Sequence, residues 1–460
     1  MNNYFFLFFG IIYLQVLFMK EKIIKSKYPI IELLTIFVLT LIFNLMCNTL
    51  VHDEVWNYGF SYNIATGLIP YKDFNMVITP LFPILGALFM ITFGKNLVVY
   101  HIFNAIICTG IFYYMKKYNS KSYYITYSIL LSYSLPNYSL FCILLLYILM
   151  NMEDKKSNDY LIGIVLGLTF LTKQNIGIYL CLPTLFIKDI KRILKRMAGF
   201  IIPNLIMLIY LILNDCLYEF IDYAFLGISS FAENNLVVYT SCLVFSIFIT
   251  IYLIYKYIKT KDLKLIYLIC IQGLAYPLVD QYHVMLPFIA GLNYLLSNIK
   301  LSKNVIRYAF IVFIICIFTY NGYLYSTNNY SYPNNTSVYK YKKLSNDVCQ
   351  SIQTIKDYTI NLDGRVFIID MYAYLIKLES NQTIDHFDLL NDGNIGKDGE
   401  KRIIKEMEEI CKKEKCTYLL NKEEVGNKIY SQYNQDIYKY IVSNYTESDK
   451  IIGLSVYTNY

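Results

Sequence analysis

The chain has 460 residues, of which 56% are hydrophobic and 16% are charged, and its mean hydropathy is +0.40. Soluble domains usually carry about 25% charged residues, and apolar runs such as 30–51, 236–258 and 305–324 match a hydrocarbon core of about 30 Å. The composition therefore excludes a soluble domain and indicates an α-helical polytopic membrane protein. The net charge of +7 does not indicate nucleic-acid binding, because the lysines cluster in short loops between apolar runs, as the positive-inside rule requires.

The first 29 residues form an amino-terminal segment with two interpretations. Residues 4–18 are apolar but short, and no small-residue cleavage site follows them, which argues against a signal peptide. Met19 is followed by four lysines within eight residues, which is typical of a cytoplasmic start. Residues 1–18 are therefore either an extra membrane segment or lie before the true start at Met19.

Residues 30–324 are predicted to form the membrane domain. The apolar runs and basic loops indicate about eleven spans, or twelve if residues 1–18 form one, with every basic loop on the cytoplasmic side. The loop from His52 to Thr79 then lies on the outer side. The apolar stretch 122–151 has cytoplasmic flanks at both ends, so we expect a helical hairpin that turns near Pro136.

The stretch 160–187 poses the same problem more sharply. As one straight span it would place Lys173 at the bilayer centre, which costs about 3 kcal/mol on insertion scales. It would also export one of its two basic flanks. A short hairpin avoids both penalties, so we expect Lys173 at the outer tip of a hairpin that neighbouring protein shields.

Residues 325–460 are polar and are predicted to form an extracytoplasmic α/β domain. Strand-like and helix-like patterns alternate in it, at 365–370, 400–415, 417–420, 432–444 and 450–457. The chain contains eleven cysteines. Cys411 and Cys416 are the only close pair, and with three cysteines in this domain we expect free thiols and no disulfide framework.

Acidic residues stand at the start of the predicted outer loop. Asp53 and Glu54 directly follow the first span, where a carboxylate is unfavourable unless it is hydrated or paired. A carboxylate beside an acceptor hydroxyl can serve as a general base, which typically contributes about 10²–10⁴-fold to a rate. The alternative is that both acids are solvated interface residues.

The residues around these acids form a longer pattern. After Asp53-Glu54 come Tyr58, then Gly67-Leu68-Ile69-Pro70-Tyr71-Lys72-Asp73-Phe74, then Pro80-Leu81, and Leu171-Thr172-Lys173 closes a later glycine-containing segment. The pattern resembles the first outer loop of GT-C glycosyltransferases, the polytopic enzymes related to protein O-mannosyltransferases and to the aminoarabinose transferase of lipid A. The resemblance covers residues 30–190 and extends to the later spans only by topology.

The resemblance implies a transferase that takes a sugar from a polyprenyl-phosphate donor and passes it to an acceptor on the outer face of a bacterial cell membrane. The acceptor is a glycan, a protein or a lipid. Asp53 matches the acid taken as the base, with Glu54 as its neighbour and alternative, and Asp73 matches a second acid. Lys173 stands where a cation would neutralise the departing phosphate; the alternative is a lysine that snorkels at a helix end.

Asp280 and His283 form a further candidate pair. The Asp-x-x-His spacing places both on one helical face, toward substrate or a metal. A protein metal site needs three or four ligands, and the sequence offers only these two. No cofactor is therefore certain, a divalent metal stays open, and a polar turn is the alternative.

A transporter or flippase of lipid-linked glycans is the main alternative function. Such a protein would show inverted repeats and interrupted helices near the midplane. The sequence shows no repeat, and its acids concentrate at one face. A glycan polymerase or ligase would use arginines in outer loops, and the predicted outer loops before residue 325 contain none.

Overall fold

The computed structural model describes residues 29–47, 52–119, 122–133, 137–227, 239–275, 279, 281–298, 303–327, 329–334, 336–369, 395–397, 399–421 and 435–458. The amino-terminal segment that precedes Pro29 lies outside the described residues. Both interpretations of residues 1–18 therefore stay predictions.

Between residues 29 and 326 the described part of the chain consists mainly of helices. In chain order they are α1 (Pro29–Met46), α2 (His52–Ala65), α3 (Leu81–Phe93), α4 (Leu97–Tyr118), α5 (Tyr123–Leu131), α6 (Tyr138–Asp154), α7 (Asp159–Phe170), α8 (Gln174–Cys181), a 3₁₀ turn (Leu182–Phe186), α9 (Ile190–Leu213), α10 (Leu217–Ile221), a π-helical turn (Asp222–Leu226), α11 (Thr240–Thr260), α12 (Leu263–Cys270), a 3₁₀ turn (Ile271–Ala275), α13 (Gln281–Ser297) and α14 (Lys303–Ser326). The architecture is thus that of a helical membrane protein, as the composition predicts.

Three of these helices, α4, α9 and α11, are long and apolar enough to cross a membrane, and shorter apolar helices accompany them. Large apolar side chains on α9 and α11 are exposed, among them Ile206 and Phe248. An apolar surface of this kind suits contact with lipid.

The helices are interrupted at both places where the charge pattern predicts a hairpin, and Pro136, at the first predicted turn, lies outside the described residues. α5 ends at Leu131 and α6 begins at Tyr138; α7 ends at Phe170 and α8 begins at Gln174. The arms of the second hairpin are in close contact, because a Cβ on Gly177 would overlap the Cα of Phe170. Glycine at this position therefore lets the two backbones meet.

Charged side chains tie several loops together at one end of the helix bundle, which we name the charged end. Lys116 pairs with Glu32, and Lys264 pairs with Asp154 at 2.7 Å. Among the described residues, the basic loops near Lys116, Lys155, Arg196 and Lys264 therefore meet at this end. α4 has 22 residues, so its other end lies roughly 33 Å away.

At that other end the membrane part contacts the carboxy-terminal third of the chain. The Leu97 amide, at the start of α4, donates to the carbonyl of Val338 at 2.8 Å. We name this the domain end.

The carboxy-terminal third contains β1 (Tyr330–Ser331), β2 (Leu344–Ser345), α15 (Asn346–Ile360), β3 (Arg365–Ile369), α16 (Gly399–Cys411), β4 (Cys416–Asn421), α17 (Gln435–Asn444), β5 (Thr446–Ile451) and β6 (Leu454–Thr458). The strand order of its main sheet is β3-β4-β6-β5, with β3 parallel to β4 and the other pairs antiparallel. The predicted single strand at 450–457 is wrong, because the chain turns at Ile452 and Gly453, both with positive φ. Helix α15 was not predicted from the sequence.

The prediction of free thiols at Cys411 and Cys416 is wrong. The two form a disulfide, with their Cα atoms 5.5 Å apart. α16 ends at Cys411 and β4 begins at Cys416, so the short connection between them brings the two side chains together. Cys349, the third cysteine of this region, is a free thiol.

Candidate functional site

The acid pair lies in a helix rather than in an open loop. α2 begins at His52 and covers Asp53 and Glu54 in its first turn. The side chain of Asp53 lies outside the described residues.

Glu54 belongs to a fully buried polar cluster with His101 and Lys342, each at most 1% exposed. Lys342 Nζ lies 2.8 Å from His101 Nε2 and 3.8 Å from Glu54 Oε1, and His101 Nε2 lies 3.4 Å from the same carboxylate oxygen. An ammonium group can only donate, so His101 Nε2 accepts and the imidazole is neutral. Lys342 thus balances the charge of Glu54.

Burial raises the pKa of the Glu54 carboxyl, and the Lys342 ammonium opposes that shift. The two groups come from well-separated parts of the chain: Glu54 from α2, Lys342 from the segment before β2. Neither His101 nor Lys342 was predicted from the sequence. His101, one of only four histidines, was the available signal, because it interrupts an apolar helix.

Asp73 supports a tight turn in the second half of the predicted outer loop. Its Oδ2 accepts from the Ile69 amide at 2.7 Å, and Tyr71 adopts a left-handed conformation with φ of 72°. The Tyr71 hydroxyl donates to the carbonyl of Ile78 at 2.7 Å. Burial raises the pKa of Tyr71 well above its usual value, so the hydroxyl keeps its proton and this hydrogen bond.

The end of the same loop packs against the turn that carries Lys173. The Thr79 hydroxyl donates to the carbonyl of Phe170, and the Leu81 amide donates to that of Leu171, both at 2.8 Å. Gln174, next to Lys173, donates its side-chain amide to the Val77 carbonyl. The loop and the Lys173 turn are therefore one packed unit.

Lys173 lies away from the charged end. Its Nζ is 4.8 Å from the ring centre of Tyr138, a cation–π distance. Tyr138 begins α6, and Asp154 at the other end of that helix belongs to the charged end. The predicted outer loop and the predicted hairpin tip thus share one end of the bundle.

Helix α3 lies across α4 near the start of that helix. The ring centre of Phe103 is 5.6 Å from that of Phe82, at the start of α3, and 5.5 Å from that of Phe89, two turns later. Both halves of α3 therefore belong to the domain end.

Asp53 and Lys173 nevertheless lie at different ends of α2. α2 and α3 pack side by side, since a Cβ on Gly86 would overlap the Ser61 side chain. The start of α3 meets the Lys173 turn, whereas Asp53 stands at the opposite end of the pair. α2 has 14 residues and is about 20 Å long.

A second polar contact joins the domain end to the carboxy-terminal third. Asp222, which begins the π-helical turn, accepts from Arg402 Nη1 at 3.2 Å and from the Lys397 amide at 2.9 Å. In the same turn, the carbonyl of Ala224 accepts from the Gln174 side chain at 2.7 Å. π-helical turns are rare and frequent at functional sites.

The structure adds little to the predicted pair Asp280 and His283. Asp280 lies outside the described residues, and His283 is half-buried in α13. Within the described part of the chain, no three His, Cys, Asp or Glu side chains come together as a metal site. The pair and its metal therefore stay predictions.

Neither a family model nor a curated protein matches the chain. A proposal about function must therefore be argued from the residues at the domain end. They comprise a helix that carries an acid in its first turn, a buried and balanced ion pair, and a loop packed on a lysine-bearing turn. Such groups can bind an anion and take up a proton.

Proposed function

We propose that the protein is a membrane glycosyltransferase that moves a sugar from a polyprenyl-phosphate donor to an acceptor at the extracytoplasmic surface. Among the described residues of the membrane part, most basic loop residues lie at the charged end, with Lys72, Lys95 and Lys173 as exceptions. The positive-inside rule therefore favours the cytoplasm for that end and the outside for the domain end. The Cys411–Cys416 disulfide supports the same orientation, because disulfides persist in oxidising compartments.

One observation carries the proposal. The loop that carries Asp73 and follows α2, the helix of Asp53, packs through Thr79 and Leu81 on the turn that carries Lys173. A base and a cation of this kind are what displacement of a lipid phosphate requires. The acceptor must lose a proton, and negative charge grows on the departing phosphate oxygen.

In the proposed reaction, Asp53 takes the proton of the acceptor hydroxyl. That oxygen forms a bond to the anomeric carbon, the bond from this carbon to the phosphate oxygen breaks, and Lys173 neutralises the lipid phosphate that leaves. A single displacement of this kind inverts the anomeric centre. Glu54 is buried against Lys342 and is therefore assigned to hold α2 in place.

The separation of Asp53 and Lys173 sets a condition on this mechanism. Reacting atoms must come within about 3–3.5 Å of each other. A 14-residue helix keeps its ends about 20 Å apart, so the loop and the Lys173 turn that pack together must shift along α2 towards Asp53 when donor binds. Lys95 and Lys72 are exposed. Lys95 lies near the first half of α2, where its carbonyl accepts from the Tyr58 hydroxyl, and Lys72 lies in the loop that follows the end of α2.

Spin labels on cysteines placed at Lys95 and Lys72 report this approach. We expect their distance to shorten when polyprenyl-phosphate sugar is added, whereas a lipid phosphate without sugar should shorten it less. The protein without the two new cysteines, labelled in parallel, gives the background from the native thiols. An unchanged distance with saturating donor would contradict the two-ended site.

The main test is a transfer assay on the purified protein in lipid nanodiscs. The donors are radiolabelled polyprenyl-phosphate hexoses and pentoses, and membranes from cells that lack the protein supply the acceptor. We expect Asp53→Asn to lower kcat at least 100-fold, within the range of a lost general base, and Lys173→Met to raise the KM for donor. Asp189→Asn and Lys95→Met are matched controls, since both side chains are exposed. Full transfer by Asp53→Asn would remove the assigned base.

The flippase alternative has one observation in its favour. Several helices are interrupted, most clearly at 171–173 and at the π-helical turn, and interrupted helices are common in transporters. The same assay separates the two functions. A transferase releases polyprenyl phosphate, whereas a flippase moves the intact lipid-linked sugar across the bilayer.

A further inference from the structure

We propose that the carboxy-terminal third of the chain is a two-point clamp that positions both halves of the candidate site. The first point is Lys342 on Glu54 and His101, and the second is Arg402 on Asp222. Neither cation is assigned contact with substrate, so both are positioning residues. The catalytic part of this inference rests on the proposed function, whereas the docking part does not.

The first point fixes the start of α2. Lys342 is fully buried between Glu54 and His101, and a buried ammonium is strongly unfavourable unless it is paired. Its neighbours Lys340 and Lys343 behave differently: each lies over a tyrosine ring at 5.1 Å and neither is buried. Of these three neighbouring lysines, only Lys342 is thus buried.

The backbone beside Lys342 is docked as well. The Val338 carbonyl accepts from the Leu97 amide at 2.8 Å, and Val338 and Tyr339 are buried. α4 begins at Leu97 and carries His101 one turn later. The segment around Lys342 therefore holds the starts of α2 and α4 together. Asp53 lies next to Glu54, the α2 residue that Lys342 contacts.

The second point fixes the segment beside the Lys173 turn. Asp222 is buried and accepts from both Arg402 and the Lys397 amide. The Arg402 guanidinium also lies 4.7 Å from the ring centre of Tyr223. Gly396 has φ of 84°, and a Cβ there would overlap the Asp222 carboxylate, so a side chain at this position would prevent the contact.

The two points act on different parts of the site. Lys342 grips α2, which carries Asp53. Arg402 binds the π-helical turn. The Ala224 carbonyl of that turn accepts from the side chain of Gln174, which is next to Lys173. Loss of the first point should therefore disturb the candidate base, and loss of the second should disturb the candidate phosphate ligand.

Hydrogen exchange of the full chain in nanodiscs, followed by mass spectrometry, tests the docking without reference to activity. We expect Lys342→Met to speed exchange at least tenfold in peptides that cover 97–101 and 336–345. We expect Arg402→Met to do the same in peptides that cover 217–227.

Lys340→Met and Lys405→Met are the matched controls for these two variants, because both lysines are exposed. Their exchange should equal that of the wild type. Wild-type exchange in both Lys342→Met and Arg402→Met would overturn the clamp.

A double variant controls for misfolding that is caused only by leaving one buried charge without its partner. Glu54→Gln with Lys342→Met removes both charges, so we expect it to retain more protection than Lys342→Met alone. Equal loss of protection in the single and the double variant would mean that the ion pair does not hold the first point.

The transfer assay tests the positioning role. We expect Lys342→Met to lower kcat at least tenfold with donor KM unchanged, and Arg402→Met to raise donor KM at least tenfold. If the wild type transfers no sugar, the proposed function fails while the exchange result still decides the docking. If exchange rises but kcat and KM stay at wild-type values, the positioning role is overturned.

Discussion

The two ends of the helix bundle use buried charge in different ways. At the charged end, Arg196 is 1% exposed and donates to Asp159 at 2.7 Å and to Glu153 at 2.6–3.0 Å. At the domain end, Lys342 is fully buried too, but its carboxylate partner Glu54 is 3.8 Å away. The Arg196 guanidinium is thus hydrogen-bonded to both of its carboxylate partners, whereas Lys342 bonds to His101 at 2.8 Å and lies beyond hydrogen-bond distance of its carboxylate partner.

This difference distinguishes the end that stabilises the helix bundle from the end that carries the candidate site. A fully satisfied polar network rigidifies a structure and specifies one arrangement. Local departures from complete pairing are expected at functional sites. We therefore assign the charged end to assembly of the bundle and the domain end to the candidate site.

The largest effect is expected from breaking the charged end. Arg196→Met would remove the cation of Glu153 and leave Asp159 with only the partly exposed Arg192; loss of one partner of a buried ion pair typically costs about 3–5 kcal/mol. Thermal unfolding of the purified protein in one detergent measures the loss. Arg192→Met is the matched control: that side chain is 43% exposed, so we expect a change of at most about 1 kcal/mol. Equal losses for the two variants would contradict the assignment.

The charged end was largely predictable from sequence. Basic residues between apolar runs marked the loops that meet there. The partners of Arg196 were not predictable, because Glu153 and Asp159 flank a different loop. Only packing of α7 against α9 brings them within reach.

The domain end was predictable only in part. The pattern around Asp53 and Asp73 marked the loop, but the buried cluster joins Glu54 to Lys342 from the far end of the chain. No local periodicity encodes such a contact. Helix α2 was missed for a related reason: its 14 residues mix polar and apolar side chains without a clear face, so tertiary packing decides its conformation.

A second, smaller effect is expected where α7 and α9 cross beside Arg196. A Cβ on Gly199 would overlap the carbonyl oxygen of Tyr160. Because a backbone cannot move aside as a side chain can, we expect Gly199→Ala to cost about 1–3 kcal/mol, measured by the same thermal unfolding.

The matched control is Gly110→Ala on α4. Its added Cβ would lie 3.0 Å from the Leu144 Cδ1 atom, at the end of a flexible side chain. Alanine is also the better helix former by about 1 kcal/mol, so we expect little net loss. A larger loss for Gly110→Ala than for Gly199→Ala would mean that the close crossing is not what stabilises this end.

The smallest effect is expected at Asp73. It is also the most informative test of the roles assigned at the domain end. Its carboxylate accepts from the Ile69 amide, and the oxygen of an asparagine side chain can accept the same bond. Asp73→Asn should therefore change stability by less than about 1 kcal/mol, whereas Asp73→Ala should lose a local hydrogen bond that contributes about 0.5–1.5 kcal/mol. Transfer by Asp73→Asn should stay within about twofold of wild type if Asp73 only shapes the turn. A loss of about 100-fold with unchanged unfolding would instead make Asp73 the base, because its loop already packs on the Lys173 turn and Asp53 does not.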